Sequence, residues 1–592
     1  MYEPLIKPVG KCWFGTPEEL SPEIVMKSPP FIPFKVDPLD FSQSKLSPIH
    51  IFQYLPVDHD CFMYADILKG LDFSPLLKNY SPIGQHAYNP GTVASILIYA
   101  YCHGVYSSRQ IERKCHTDLG FIYISHMNCP NFRVLSDFRK TNADFFQHLF
   151  TQSVAIAQEL DLIDLENVCQ DGSKFKADTS KHKAMSYGRM KKNIAELTEI
   201  INELMNKIDQ IETTEDAHEI QEDYQNLKTE LQIKENRLKK ILAAREALEA
   251  REEQLHPEET IPDKSQISFA DVEARIMGKN GNFDYCYNGQ ICVDSKGQII
   301  VGQFLSQNAN DKQEVTPALL KILWNTGRLP NSMSFDNGYF SGYNLEALVK
   351  YEVNAYVAVG KEGKQNPDNI DGDKTFFSKY DFIFSEDDDV FICPEGEKLC
   401  LKSCDKEGRR IYSGKKDVCL NCKKRPICCK SKKGQPRTVS VDEYEPLRDE
   451  MRVKMKNSKS KEIYSRRKVV VEPVFGQIKN QGFRGFHMKG FDKASGEFAL
   501  VCSTHNLKKV AKCLVSNVLF SSQCVHTLNF RSTSKEFVKG KIVNLVNCSI
   551  KAIKISQFKV RNFLTHLISS KFFDSFGKLF SNRKKWCCRT AS

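Results

Sequence analysis

Residues 464–490 read YSRRKVVVEPVFGQIKNQGFRGFHMKG, a basic stretch with interleaved aromatic side chains and a single carboxylate, Glu472. Helical spacing would place Lys468, Glu472 and Lys479 on one face, which offers cations to a polyanion and one acid to a metal ion. Pro473 is expected either in the first turn of a helix or at a kink. Glu472 is therefore the first catalytic candidate. The alternative is a solvated ion-pair partner.

The chain has 592 residues, which is too long for one hydrophobic core and predicts three or more domains or insertions. Its composition, 41% hydrophobic and 27% charged, is ordinary for a globular protein. No run of eighteen apolar residues appears, and the first residues lack a basic-then-apolar signal segment. We expect a protein that stays in the compartment where it is made and does not enter a membrane.

The net charge of +11 is concentrated in the tail, because residues 511–592 hold fifteen Lys or Arg against two acids. This tail either binds DNA phosphates non-specifically or is sequence read through beyond an ancestral stop. The remaining chain is nearly balanced, so any DNA-binding argument for it must rest on local patches. The 21 cysteines are interpreted as buried thiols or metal ligands and not as disulfides.

An irregular, Pro- and Ser-rich arm is predicted for residues 1–45, followed by helical patterns. Asn89-Pro90 is typical of an N-cap and a first-turn proline, Ser107 caps the next helix, and Asn131 starts a third. The three predicted helices are 92–102, 108–115 and 131–139. They fit either a small DNA-binding bundle of helix-turn-helix type or a helical packing domain with no groove contact.

Two further acids follow short predicted strands. Asp171-Gly172 comes after strand 167–170, and Asp336-Asn337-Gly338 comes after strand 332–335. Between them lie a β-hairpin (285–293 and 298–304, turning at Asp294) and a helix over 315–326. This is the order of an RNase H-like sheet, in which acids from strand ends and a later helix converge. Three carboxylates suit a two-metal Mg²⁺ centre. Among the other acids, Asp178 is assigned to a polar loop, and Asp311 remains a candidate for a group that supports the metal ligands without binding the metal itself.

Residues 191–254 carry a heptad seam, which breaks at 213–216 and then resumes more loosely. The pattern predicts an antiparallel helical hairpin that packs on itself or on a second subunit. The seam residues are Ile194, Leu197, Ile201, Leu204, Ile208, Ile211, Leu227, Leu231, Leu238 and Ile241.

Seven cysteines crowd between Cys393 and Cys429. A CxxC pair with two further thiolates would form a tetrahedral structural zinc site that folds a small β-rich insert. The preferred set is Cys393, Cys419, Cys422 and Cys428, with Cys400 or Cys404 as substitutes. The alternative is a set of free thiols in a loop.

Six blocks of the sequence resemble bacterial insertion-sequence transposases with a DDE catalytic core. They are AYNPGTVASILIYAYCHGVYSSRQIERKC, CQDGSKFKA, YNGQICVDSKGQIIV, SFDNGYFS, RKVVVEPVFGQIKNQGFRGFHMKG and FALVCSTHNLKK. They run in family order over roughly residues 45–510. The family's Tyr-Arg-Glu-Lys signature falls on Tyr464, Glu472 and Lys479, but strict spacing puts its arginine at Lys468, beside Arg467.

The resemblance implies that Asp171, Asp336 and Glu472 bind Mg²⁺ or Mn²⁺, nick transposon ends and direct the freed 3′-hydroxyl into target DNA. It implies that basic and aromatic side chains hold the terminal phosphates: Tyr464, Arg467, Lys468, Lys479 and Arg484. It further implies terminal inverted repeats and target DNA as partners, a homodimer in the synaptic complex, and a bacterial cytoplasmic location at the nucleoid. The competing hypotheses are a catalytically inactive DNA-binding descendant and a structural coiled-coil protein, which explains only the seam.

The predicted fold class is α+β, with an RNase H-like core split by a helical hairpin and a cysteine-rich insert. The predicted segments are the arm 1–45, the helical domain 46–160, the core in three parts (161–190, 257–360 and 446–510), the hairpin 191–256, the cysteine-rich insert 361–445 and the basic tail 511–592.

Overall fold

The computed structural model describes residues 51–525, apart from 82, 84, 181–182, 214–220, 258, 280, 360–376, 378, 386, 406–407, 430 and 432–433. The predicted arm, much of the acidic stretch that opens the insert, and the tail beyond 525 lie outside the described residues. The structure is 54% helical and 17% strand, which confirms the α+β class.

The α-helices of the described chain are α1 (Asp60–Lys69), α2 (Pro90–Cys102), α3 (Ser108–Thr117), α4 (Leu119–Ile124), α5 (Phe132–Thr141), α6 (Ala143–Glu159), α7 (Tyr187–Thr213), α8 (Gln221–Leu255), α9 (Val315–Thr326), α10 (Gly342–Lys350), α11 (Lys416–Asn421), α12 (Arg425–Cys428), α13 (Glu445–Lys456), α14 (Ser458–Ser465), α15 (Arg467–Val470), α16 (Glu472–Asn480) and α17 (Phe491–Val525). Short 3-10 turns span Ile51–Tyr54, Ser74–Asn79, Asn337–Tyr339 and Lys379–Asp381.

The strands are β1 (Asn167–Lys176), β2 (Ala184–Ser186), β3 (Gln266–Ser268), β4 (Arg275–Lys279), β5 (Asn282–Asp294), β6 (Ile300–Ser306), β7 (Ser332–Phe335), β8 (Asn354–Val357), β9 (Ile383–Ser385), β10 (Val390–Ile392), β11 (Lys398–Cys404), β12 (Arg410–Ser413) and β13 (Thr438–Val441).

The central sheet is mixed and has the order β4-β5-β1-β7-β8, with β6 also paired to β5. Strands β1, β5 and β6 pair antiparallel, whereas β7 lies parallel to both β1 and β8. Helix α9 connects β6 to β7, so the order strand, hairpin, strand, helix, strand is the RNase H-like arrangement that the sequence predicted. The carboxyl end of β7 therefore lies beside the middle of β1, where the first two acids can meet.

Strand β1 corrects one sequence expectation, because Asp171 lies within the strand and not at a turn that ends it. Asp171 pairs with Ile291 and Gly172 with Gln290, so β1 continues to Lys176. Gly172 marks close packing: a Cβ there would lie 2.8 Å from Asp311 Oδ1 and would collide with the amide of Gln290. The glycine that suggested a turn is needed because neighbouring side chains crowd the strand.

The N-terminal helices begin where the capping signals predict. The side chain of Asn89 accepts a hydrogen bond from Gly91 N at 2.8 Å, and that of Asn131 accepts one from Val134 N at 2.9 Å. Ser107 precedes α3 but makes no side-chain cap bond. All thirteen residues of α2 are buried. Since α2 has no free face, any DNA groove contact in this bundle would have to come from another helix, such as α3.

Helices α7 and α8 form a hairpin whose base is fixed by their first and last turns. The Tyr187 hydroxyl donates to Glu249 Oε1 at 2.7 Å, which joins the start of α7 to the end of α8 and requires an antiparallel pair. Leu197 packs in one cluster with Ile241, Ala244 and Leu248. This part of the seam therefore packs on itself, as one of the two alternatives predicted.

The cysteine-rich insert contains an antiparallel sheet of order β13-β12-β11-β10-β9 with its own small core, which includes Phe391, Leu399 and Tyr412. After it, α13 to α16 return the chain to the central sheet. Helix α17 then packs against α6, α2 and β6 and extends to Val525, beyond the expected end of the core.

Candidate active site

The three predicted acids converge on one guanidinium. Nη2 of Arg467 lies 2.7 Å from Asp171 Oδ1 and 3.8 Å from Asp336 Oδ2, and Nη1 lies 3.5 Å from Glu472 Oε1. Asp171 comes from β1, Asp336 follows β7, and Glu472 opens α16. Residues separated by two long inserts are thus brought around a single cation.

Arg467 reaches the acids because the helix that carries the quoted stretch is interrupted. Helix α15 ends at Val470 and α16 begins at Glu472, with Pro473 in its first turn. Proline has no N–H to donate to the preceding turn, so one continuous helix does not form. Lys468 and Glu472 therefore belong to two successive helices and not to one; Val471 between them keeps helical backbone angles, so a shared face for the two side chains stays a prediction. Lys468 is exposed, whereas the Arg467 side chain is only 8% exposed.

Burial dominates the electrostatics of the site. It raises the pKa of Asp171 to about 6; Arg467 opposes the shift and the negative charge of Asp336 adds to it. Burial alone would lower the pKa of Arg467, but Asp171 and Asp336 raise it overall. The acids therefore repel one another, and the buried guanidinium compensates part of that charge.

The chemistry of the donors suits a hard divalent cation, because all three side chains present carboxylate oxygens, the ligands that Mg²⁺ and Mn²⁺ prefer. Within the part of the chain that the structure describes, no three His, Cys, Asp or Glu side chains lie close enough together to form a metal-binding group. The acids surround Arg467 instead. A metal bound by all three would have to take the position of the guanidinium.

Two of the other predicted DNA-binding side chains, Lys479 and Tyr464, interact with groups at this centre. Lys479 donates a hydrogen bond to Ser173 Oγ, beside Asp171, and its Nζ lies 5.3 Å from the ring centre of Phe175. Arg484 is exposed, and Tyr464 is partly buried. Lys479 and Tyr464 thus lie close to the acids, while Arg484 presents its charge to solvent.

Sequence reasoning missed a polar network beneath the acids. Gln290 on β5 accepts hydrogen bonds from the Tyr339 hydroxyl at 2.5 Å and from Gln170 Nε2 at 3.1 Å. It donates to Asp311 Oδ1 at 2.6 Å, as Asn288 Nδ2 does at 2.8 Å. The available signal was the block YNGQICV, which places two amide side chains in an otherwise apolar strand that is buried.

The cysteine cluster forms a second candidate site. Cys393, Cys419, Cys422 and Cys428 line one cavity of the insert, together with Cys429. Cys400 and Cys404 are exposed on β11 and do not line it. Burial raises the pKa of the Cys428 thiol, with smaller contributions from its cysteine neighbours that Arg437 opposes. The preferred set therefore shares one cavity, while both substitutes lie outside it.

The order of the central sheet is that of the RNase H-like fold class. Two family models match the chain: one described as a transposase DDE domain over residues 392–511, and one described as a transposase domain (DUF772) over residues 50–141. Together they indicate an insertion-sequence DDE transposase. The first match includes Glu472 but neither aspartate. No curated protein and no solved structure matches the chain.

Among the residues described, no helix is both long and apolar enough to span a membrane.

Proposed function

We propose that this protein is an active DNA transposase, which cleaves DNA at the ends of its insertion sequence and transfers the freed 3′-hydroxyl into target DNA. The observation that carries the proposal is the convergence of Asp171, Asp336 and Glu472 within 4 Å of one buried guanidinium. A structural coiled-coil protein would not need three acids from distant segments at one point. The alternative is a DNA-binding descendant that holds ends without cutting them.

The three carboxylates would hold two Mg²⁺ or Mn²⁺ ions. When bound, these ions activate the attacking water or 3′-hydroxyl and stabilise the leaving oxygen. Asp171 is fixed in β1 by pairing with Ile291 of β5, and Asp336 is oriented because its side chain accepts a hydrogen bond from Gly338 N at 2.7 Å. Both acids are therefore positioned before DNA binds, while the half-exposed Glu472 can adjust.

The basic side chains around the acids would hold the phosphates of the cleaved strand. Lys468 and Arg484 are exposed, and Lys479 is anchored beside Asp171 by Ser173. Tyr464 and Arg467 would also bind these phosphates once DNA and metal have entered the site. Because two transposon ends must be processed together, we also propose a homodimer in the synaptic complex. For the domain organisation of each chain we propose the segments that the sequence predicted.

Incubation with DNA that carries the terminal inverted repeats is expected to give Mg²⁺-dependent nicks at the repeat ends. Asp336→Asn is expected to lower the nicking rate at least 1000-fold, because it removes a carboxylate from the metal site while the amide can still accept from Gly338 N. DNA binding is expected to be retained, since Asp336 contributes no positive charge. A gel assay of cleavage and a shift assay of binding measure both.

The matched control is Asp178→Asn, which alters an exposed acid after β1 that forms an ion pair with Lys489 at 3.8 Å. It should cleave at the wild-type rate. Binding without any cutting by the wild-type protein would select the inactive descendant instead.

We further propose that the insert holds a structural zinc ion through Cys393, Cys419, Cys422 and Cys428. Their shared cavity supports this assignment, and so does the backbone around Cys393, whose Sγ accepts a hydrogen bond from Glu397 N at 3.3 Å. Such an N–H···S bond would help to orient a sulfur that is bound to zinc. The cysteines would close further on the ion, since the described residues show no preformed metal group.

Purified protein is expected to contain about one zinc per chain, and Cys422→Ser is expected to lose it together with the stability of the insert. Cys404→Ser is the control, because Cys404 is exposed on β11 and should leave the zinc content unchanged. Elemental analysis and limited proteolysis measure the two effects. Zinc-free wild-type protein with a protease-resistant insert would contradict the proposal.

A further inference from the structure

A fourth carboxylate, Asp311, lies at the acid cluster, in the loop between β6 and α9. A Cβ on Gly338 would lie 2.9 Å from Asp336 Oδ1 and 3.2 Å from Asp311 Oδ2. The two carboxylates therefore flank the same point, directly after β7. Asp311 also faces β1, since a Cβ on Gly172 would lie 2.8 Å from its Oδ1.

The two oxygens of Asp311 have different surroundings. Oδ1 accepts both amide hydrogen bonds, from Asn288 at 2.8 Å and Gln290 at 2.6 Å. Among the described residues, Oδ2 accepts no hydrogen bond and Asp311 forms no ion pair. The network thus fixes the orientation of the carboxylate and leaves one oxygen available beside Asp336.

The charge of Asp311 is not compensated in the way that the charges of the other three acids are. Arg467 lies within 4 Å of Asp171, Asp336 and Glu472, and this contact does not extend to Asp311. The Arg467 side chain is more than nine-tenths buried, and its Nε has no partner among the described residues. The cluster therefore already draws one buried cation, which reaches three of the four acids but not Asp311.

We infer that Asp311 supplies a fourth carboxylate oxygen, Oδ2, to the divalent-metal site. This inference rests on the proposed function and deepens it, because it assigns the site four acids. A structural role in the loop is the competing explanation: the Asp311 carbonyl accepts a hydrogen bond from Asn344 Nδ2 at 2.9 Å. That role uses the backbone and would not need a carboxylate.

Asp311→Asn separates the two explanations. The amide retains one oxygen, which can accept both hydrogen bonds from β5, and exchanges Oδ2 for an NH₂ group that cannot bind a metal. We expect the affinity for Mn²⁺, measured by calorimetry on the full chain without DNA, to fall at least about 10-fold. Without metal, the variant should be at least as stable to heat as the wild type, because the substitution removes a buried negative charge that lies close to other acids.

Glu314→Gln is the matched control. Glu314 lies three residues further along the chain, is also buried, and also has a pKa raised mainly by burial; its Oε1 likewise accepts two hydrogen bonds, from Ser306 and Asn308. Unlike Asp311, it is not among the groups nearest to Gly172 or Gly338 at the acid cluster. It should keep the wild-type Mn²⁺ affinity. Wild-type affinity in Asp311→Asn would overturn the inference, as would equal losses in both variants. A wild-type protein that neither binds Mn²⁺ nor cleaves DNA would instead overturn the proposed function.

Discussion

Arg467→Met is expected to lower the free energy of unfolding of the metal-free core by about 3 kcal/mol, because it leaves Asp171 partly buried and without its cation. Nη2 of Arg467 lies 2.7 Å from Asp171 Oδ1, and both side chains are less than one-fifth exposed. Asp336 and Glu472 contribute less to this loss of stability, since their side chains are 39% and 50% exposed and water screens their charges. Methionine preserves much of the side-chain volume, so the change is mainly one of charge.

Mg²⁺ should restore part of this loss. If the guanidinium compensates the negative charge of the acids when no metal is bound, a divalent ion can compensate that charge in the variant that lacks the guanidinium. Mg²⁺ should therefore stabilise Arg467→Met more than it stabilises the wild type. Native-state hydrogen exchange of β1 and α16, in EDTA and in Mg²⁺, measures both effects. Cleavage should nevertheless fall about 100-fold, because the variant lacks the guanidinium that is proposed to hold a DNA phosphate once metal has taken its place among the acids.

Arg466→Met is the control for this experiment. Arg466 is the preceding residue, is 63% exposed, and lies 3.6 Å from Glu462 on the helix surface. Its loss should change the free energy of unfolding by less than about 0.5 kcal/mol. Equal effects of the two variants in EDTA would show that Arg467 does not compensate the acid cluster.

The sequence predicted those parts of the core that local patterns determine. Helix α9 and strand β7 have the bounds that periodicity gave, and Asn89 and Asn131 cap α2 and α5 as their residue types indicate. Asp336 lies at the predicted strand end because the Asp-Asn-Gly turn is a local signal. In each case the deciding interactions lie within a few residues of chain.

The parts of the core and of the site that the sequence did not predict depend on contacts between distant segments. Gly172 indicated a turn, although packing against the Gln290 amide is what requires a glycine in the middle of β1. The helix is interrupted before Pro473, and the basic side chain that reaches the acids is Arg467, while Lys468 is exposed. Gln290 and Asp311 gain their significance only when β5 lies beside β1. The two amide side chains in YNGQICV indicate a polar site in a buried strand, but no spacing within one segment could have indicated their partners.

Glu497→Leu is expected to lower the free energy of unfolding by about 4 kcal/mol, because it leaves the guanidinium of Arg139 buried and without its counterion. Nη1 of Arg139 lies 3.6 Å from Glu497 Oε1, and the two side chains are 4% and 1% exposed. The Tyr101 hydroxyl links them, donating to Glu497 at 2.6 Å and accepting from Arg139 at 2.6 Å. His487 N also donates to Glu497 Oε2, at 2.8 Å.

This network joins the N-terminal helices to the catalytic half of the chain. Tyr101 and Arg139 lie on α2 and α5, Glu497 lies on α17, and His487 lies in the segment that follows α16. Loss of Glu497 should therefore increase hydrogen exchange in α2, α5 and α16 together. Lys140→Met is the control, because Lys140 is the residue after Arg139, is 45% exposed, and pairs with Asp137 at 2.8 Å. It should cost less than about 0.5 kcal/mol.

The double variant Arg139→Met with Glu497→Leu decides whether the cost of Glu497→Leu arises from an unpaired buried charge. If it does, removing both charges should recover most of the stability, since apolar side chains of similar size can replace a buried ion pair at little cost. The double variant should then be more stable than either single variant. If the two losses simply add, the cost would come from packing around α17, and the ion pair would contribute little to joining the two halves.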